Sequence, residues 1–177
     1  MWVCFHWGIV EHDIRLTGEH FKKSGKRPKL YGEIEDKVCL LKLHPGLDPK
    51  IIDNILDMGY EGLILEGFGA GNVPIKGNSF LPSIKKAIHN NVPVVVSTQC
   101  AIGCSWMYLY ECGKRALDIG AIPGYDMISE TALVKLMWVL AQTNNMKKIK
   151  KMMLSDIGGE ISDIRFPKEK RIWEYSL

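Results

Sequence analysis

From Lys37 onward, short apolar runs alternate with longer stretches in which apolar residues recur three and four positions apart. Val38–Leu43 reads as a compact strand, ended by His44-Pro45-Gly46. Asp48-Pro49 then reads as a helix N-cap followed by proline at the first helical position. Ile51, Ile52, Ile55 and Leu56 fall on one face of that helix, and Gly59 ends it. Leu63–Leu65 is the second predicted strand. Ser79 is placed to cap a helix reaching about Asn90, with Leu81, Ile84 and Ile88 inward. Pro93–Ser97 is the third strand, and its successive valines fit a parallel strand covered on both sides. Strand, helix, strand, helix, strand is a βαβαβ unit, which predicts a parallel sheet with helices on both faces.

Beyond Gln99 the pattern predicts a long connection, a helix around Gly113–Ile119 and a short fourth strand at Ala121-Ile122. Ser129 is expected to cap the next helix, whose inner face is Ala132, Leu133, Leu136, Met137 and Leu140. A last helix follows Thr143 or Asn144 and stops at Gly158-Gly159. It turns Met146, Ile149, Met152 and Met153 inward and Lys147, Lys148, Lys150 and Lys151 outward, as core and solvated face. Ahead of Lys37 the pattern is weak. Ile9–Leu16 suits a short edge strand, and Lys22–Lys29, basic and holding Gly25 and Pro28, suits an exposed linker.

Composition narrows the function. A chain of 177 residues with 46% hydrophobic content suits one domain with its own core. A net charge of +3 calls for neither nucleic acid nor an anionic membrane. No apolar run approaches the length of a membrane span. Five cysteines without regular spacing argue against a disulfide framework and for a reducing cytoplasm. Cys100 and Cys104 lack a second pair at zinc-site spacing, so no metal is expected.

The candidate chemistry gathers at Gly62–Pro74, where an apolar strand enters a loop holding Gly67, Gly69 and Gly71 and closing on Asn72. Glycines there permit φ > 0 and close approach, and Asn72 is the one side chain of the loop that both donates and accepts. In an open α/β sheet, ligands sit at such carboxyl-end loops. A dinucleotide fingerprint does not fit, because Asn72 or Pro74 occupies the third glycine position and no ribose-binding acid follows. No phosphate-binding Walker pattern exists either. Cys100 lacks a nearby histidine and a nucleophile elbow, and reads as a small buried residue under its connection. His44 reads as bonding its own turn.

Taken in order, Lys42–Gly46, Gly62–Asn72, Ser97-Thr98-Gln99-Cys100, Gly113–Leu117, Gly120–Met127, Glu130-Thr131-Ala132, Lys135–Trp138 and Gly159-Glu160-Ile161 resemble the C-terminal domain of type I, cytoplasmic-type L-asparaginases. They equally resemble the matching part of the D subunit of the archaeal glutamyl-tRNA(Gln) amidotransferase. The resemblance covers about residues 37–161, and Ile9–Leu16 is similar to the end of that family's interdomain linker. It implies an α/β fold of three layers (α/β/α) with a short parallel, Rossmann-like or flavodoxin-like sheet. It also implies residues 1–36 as linker and edge strand, 37–161 as the domain and 162–177 as a charged tail.

The implied activity is hydrolysis of asparagine to aspartate and ammonia without metal or organic cofactor. The family's attacking Thr-Gly-Gly-Thr and relaying Thr-Asp are absent from the sequence. The chain is therefore expected to be inert alone, as a fragment, a truncated product or half of a split enzyme. Its partners would be asparagine, copies of itself, or a separate N-terminal catalytic half. The resemblance implies that Asn72 reaches substrate in trans, with the loop backbone at Gly69 and Gly71 supporting it and Tyr110 as a second contributor. It further matches Thr98, Gln99 and Cys100 to a regulatory asparagine site. Glu66 stands where some members carry arginine, so a regulatory carboxylate would meet a like charge. Two rival readings are the amidotransferase subunit and a non-catalytic ligand-binding or remnant domain.

Overall fold

The computed structural model describes residues 5–10, 13–20, 27 and 29–162. It divides into two units after Gly32. In the first, β1 (Phe5–Val10) pairs antiparallel with β2 (Asp13–His20). The register sets Trp7 opposite Leu16 and Ile9 opposite Ile14. The single edge strand expected over Ile9–Leu16 is thus corrected to two strands paired antiparallel. Pairing supplies the backbone partners that a lone strand leaves open. The predicted linker at Lys22–Lys29 and the tail beyond Ser162 lie almost wholly outside the described residues.

In the second unit, β3 (Val38–Lys42), β4 (Gly62–Gly67), β5 (Val94–Thr98) and β6 (Ile122–Pro123) form one parallel sheet in that spatial order. The crossovers carry α1 (Lys50–Asp57), α2 (Leu81–His89) and α3 (Glu111–Asp118). Strands advancing in one direction through crossovers of one hand place every crossover helix on the same face. Leu63, Leu65, Val94 and Val96 accordingly pack with Ile52, Ile55, Ile84, Ala87 and Ala116 in one core. The opposite face is covered by α4 (Ser129–Gln142) and α5 (Met146–Met153). There Ile64, Val95 and Ile122 meet Ala132, Leu136, Val139, Ile149 and Met153. Alternate residues of β4 and β5 serve the two cores, as the period of two requires. The three layers match the expectation, but the βαβαβ unit itself covers only one face.

Several helix ends move by a residue. The N-caps are Pro49 and Phe80, one residue beyond the expected Asp48 and Ser79, although the Asp48 carboxylate still accepts from Lys50 N–H at 2.9 Å and the Ser79 hydroxyl from Leu81 N–H at 3.3 Å. Asn145, not Thr143 or Asn144, caps α5 by accepting from Lys148 N–H at 3.1 Å. That helix ends at Met153, well before Gly158-Gly159. Ser129 does not cap α4. It is buried inside the first turn and shares a 2.9 Å hydrogen bond with the Ser97 hydroxyl, joining α4 to β5. On α4 the buried positions are Ser129, Ala132, Lys135, Leu136 and Val139, while Leu133, Met137 and Leu140 are half-buried.

Candidate functional site

All four strands of the sheet are parallel, so the loops after β3, β4, β5 and β6 gather at one end. Gln99 binds three of these ends together. Its side-chain Nε2 donates to Leu43 O at 2.5 Å and to Glu66 O at 2.9 Å, while its backbone N–H donates to Gly67 O at 3.0 Å. Thr98 works the same way, donating its hydroxyl to Gly69 O and accepting from Cys100 N–H at 3.0 Å. Both side chains are therefore engaged with backbone groups.

The glycine loop folds back on itself. Phe68 and Asn72 exchange backbone hydrogen bonds of 2.9 and 2.8 Å. Gly69 and Gly71 have φ of +49° and +81°, conformations that L side chains rarely adopt. Gly67 does not take positive φ. It is needed for closeness, because a Cβ there would lie 2.9 Å from the Gly71 carbonyl carbon. Gly71 is also wedged against the β5–α3 connection, where an added Cβ would stand 2.8 Å from Ser105 Cβ. Ser105 and Met107 are both fully buried.

This wedge sets Asn72 against the start of α3. The Cys112 thiol donates to Asn72 Oδ1 at 3.2 Å, and Asn72 is half-buried. Tyr110 lies two residues earlier, just ahead of α3, with its ring exposed. Gly113 fixes α3 in place: a Cβ there would overlap Met107 O and lie 2.7 Å from the Met107 carbonyl carbon. Neither Cys112 nor Gly113 stands out as a site residue in the sequence, because no spacing relates them to Asn72.

Beside the loop, a cleft of about 190 Å³ is lined by Glu66, Thr98, Gln99, Cys100, Ala101, Gly103 and residues 126–130. Glu66, Asp126 and Glu130 bring three carboxylates to it and its lining holds no cation. Lys42 Nζ lies 3.9 Å from the Glu66 carboxylate. Asp126 accepts from Ser162 N–H at 3.1 Å. Cys100 is exposed rather than buried, which corrects the sequence expectation: its connection bulges outward at Ala101, Ile102 and Gly103. His44 bonds its own turn, with Nδ1 3.0 Å from Pro45 O.

Burial pushes the Cys104 thiol up, and the Asp126 charge adds to it, so Cys104 stays protonated at neutral pH. Burial, with Tyr125 and Cys104 adding, raises the Tyr108 phenol to about 12. Neither group is a nucleophile or a base. Among the described residues, no three His, Cys, Asp or Glu side chains are grouped to hold a metal. Among them, too, no helix is long and apolar enough to cross a membrane.

Among known families, that of the glutaminase/asparaginase C-terminal domain matches residues 37–153. The chain belongs to this family. It is 41% identical over 147 residues to the D subunit of the glutamyl-tRNA(Gln) amidotransferase of Pyrococcus abyssi, covering 83% of this chain and 33% of the relative. With the D subunit of the same amidotransferase from Methanosarcina barkeri it is 43% identical over 162 residues, 90% of this chain and 38% of the other. The L-asparaginase of Thermococcus kodakarensis superposes with a TM-score of 0.78 at 32% identity, covering 88% of this chain and 47% of the enzyme. L-asparaginase I of Vibrio cholerae superposes at 0.75 and 31% identity, over 85% of this chain and 46% of the other. The chain thus spans about a third of these curated relatives and about half of these solved enzymes.

Proposed function

We propose that this chain supplies the carboxyl-terminal half of a composite amide-hydrolysing site, with Asn72 as the residue that reaches asparagine bound on an amino-terminal catalytic half. The observation that carries the reading is the built support of Asn72 at the carboxyl ends of the strands, in a chain of this family. The sequence holds no Thr-Gly-Gly-Thr and no Thr-Asp, so the attacking and relaying groups come from elsewhere. Assembly with that half or with copies of the chain completes the site, and no cofactor takes part. Among the described residues Cys39, Cys100, Cys104 and Cys112 are free thiols, which suits a reducing cytoplasm. Thr98 and Gln99 act within this reading as braces of the loop. The three carboxylates of the neighbouring cleft oppose a regulatory carboxylate there.

The test mixes the purified chain with the amino-terminal half of the Thermococcus kodakarensis L-asparaginase and follows ammonia release from asparagine. Release is expected only from the mixture, and Asn72→Ala should raise its KM about tenfold or more, the scale of a hydrogen bond to a charged group. Hydrolysis by the chain alone, or a KM indifferent to Asn72→Ala, refutes the reading. A second reading, as part of an amidotransferase, is favoured by identities of 37–43% to curated amidotransferase D subunits against 31–32% to the solved asparaginases. Ammonia release that requires both glutamyl-tRNA and a partner subunit would select it.

A further inference from the structure

Asn72 carries one acceptor and two donors on its carboxamide, and which end faces outward decides what it recognises. Its backbone N–H and C=O are already engaged with Phe68, so only the side chain is available. The carboxamide meets Cys112 on its inner side, at 3.2 Å. A thiol donates weakly and accepts poorly, so it favours oxygen over NH2 as its neighbour. Nδ2 is turned toward Gly69: it lies 3.9 Å from where a Gly69 Cβ would stand, and outside residues 68–70 no other atom comes within 4 Å of that point. The close packing of Gly113 on Met107 keeps the backbone of the first turn of α3, and with it Cys112, beside the loop.

We infer that Cys112 is a positioning residue for ligand recognition: it holds the Asn72 oxygen inward, so Asn72 offers N–H donors and selects a carboxylate oxygen of the ligand over its ammonium. The inference rests on the proposed role of Asn72. It also separates two ligand groups that an asparagine side chain, unoriented, would serve equally. Cys112→Ala removes the thiol, which among the described residues is the one side-chain hydrogen-bond partner of the Asn72 amide. A hydroxyl at the same position keeps a donor.

Two measurements test it. In NMR spectra of the 177-residue chain, the Asn72 side-chain amide protons should show cross-relaxation to Gly69 and none to the Cys112 Hβ protons. Cys112→Ala should blur this pattern and Cys112→Ser should restore it; an unchanged pattern in Cys112→Ala overturns the inference whatever the ligand. In the mixture with the catalytic half, succinamic acid keeps the carboxylate without the α-amine, and 3-aminopropanamide keeps the amine without the carboxylate. Asn72→Ala should weaken succinamic acid about tenfold and 3-aminopropanamide by no more than about twofold. Cys112→Ala should weaken succinamic acid about threefold and raise the KM for asparagine similarly, with kcat nearly constant and Cys112→Ser close to the parent. A loss confined to 3-aminopropanamide overturns the inference and leaves the composite site standing. Indifference of both compounds to Asn72→Ala overturns both.

Discussion

Gly113→Ala is expected to destabilise the domain by about 3 kcal/mol or more, at the upper end for an overpacked site. Alanine normally stabilises a helix interior by up to about 1 kcal/mol relative to glycine. Here that gain is outweighed, because the new methyl would overlap the Met107 carbonyl oxygen and sit 2.7 Å from its carbon, backbone that has no free end to swing away. Met107 is fully buried, so the helix must move instead. In a domain of this size such a loss lowers the thermal midpoint by about 6–12 °C. The same displacement carries Cys112 away from Asn72, so under the role proposed for Asn72 the variant loses substrate affinity even below its midpoint. A thermal scan within about 2 °C of the parent would show that α3 can shift freely and that the wedge does not hold.

Lys135→Ala is expected to cost about 3 kcal/mol, the lower end for a broken buried ion pair. The Lys135 side chain is 5% exposed and pairs with Glu160, itself 17% exposed, at 2.5 Å. Its ammonium also donates to Ser155 O at 2.6 Å. Glu160 in turn accepts from Ile157 N–H at 3.1 Å and Gly158 N–H at 2.6 Å. One buried cation thereby organises residues 155–160, and Ile161 follows them into the core under α4. Alanine leaves the Glu160 carboxylate without its counter-charge and the Ser155 carbonyl without its side-chain donor.

The pH dependence carries the same signature. Burial alone would raise the Glu160 carboxyl, but the Lys135 hydrogen bond, the backbone donors and the lysine charge together hold it at about 2. A carboxyl depressed on folding stabilises the native state fully above its unfolded value of 4.5. That contribution fades as pH falls from about 4.5 toward about 2. Denaturant midpoints of the parent should therefore drop steeply across this window, and those of Lys135→Ala more gently. Parallel pH curves for the two proteins would exclude the pair as a source of stability.

Much of the sheet is legible in the sequence because its signals are local. The valines of β5, the proline and aspartate before α1, and Gly59 with φ of +81° each act within a few residues of themselves. The inner face of α4 escapes such reading for a physical reason. That helix is apolar on nearly all sides, so its period is faint, and Leu133 and Leu140 compete with Val139 for the core. A lysine on that face looks like a break in the pattern until Glu160, 25 positions later, supplies its counter-charge. The candidate site divides likewise. Glycines and an asparagine after a strand announce a loop of interest, and Asn72 is legible on that ground. Cys112 is not, since 40 residues separate it from Asn72 and only the closed fold brings them together.

The wedge between Gly71 and Ser105 has a consequence for how this protein tolerates change. A fingertip built from two distant stretches does not exist in either alone. A chain ending before Gly113 would translate the glycine loop intact yet leave its amide unaimed. Variation screened only across residues 67–72 would miss Ser105, Met107 and Cys112, the other side of the same joint.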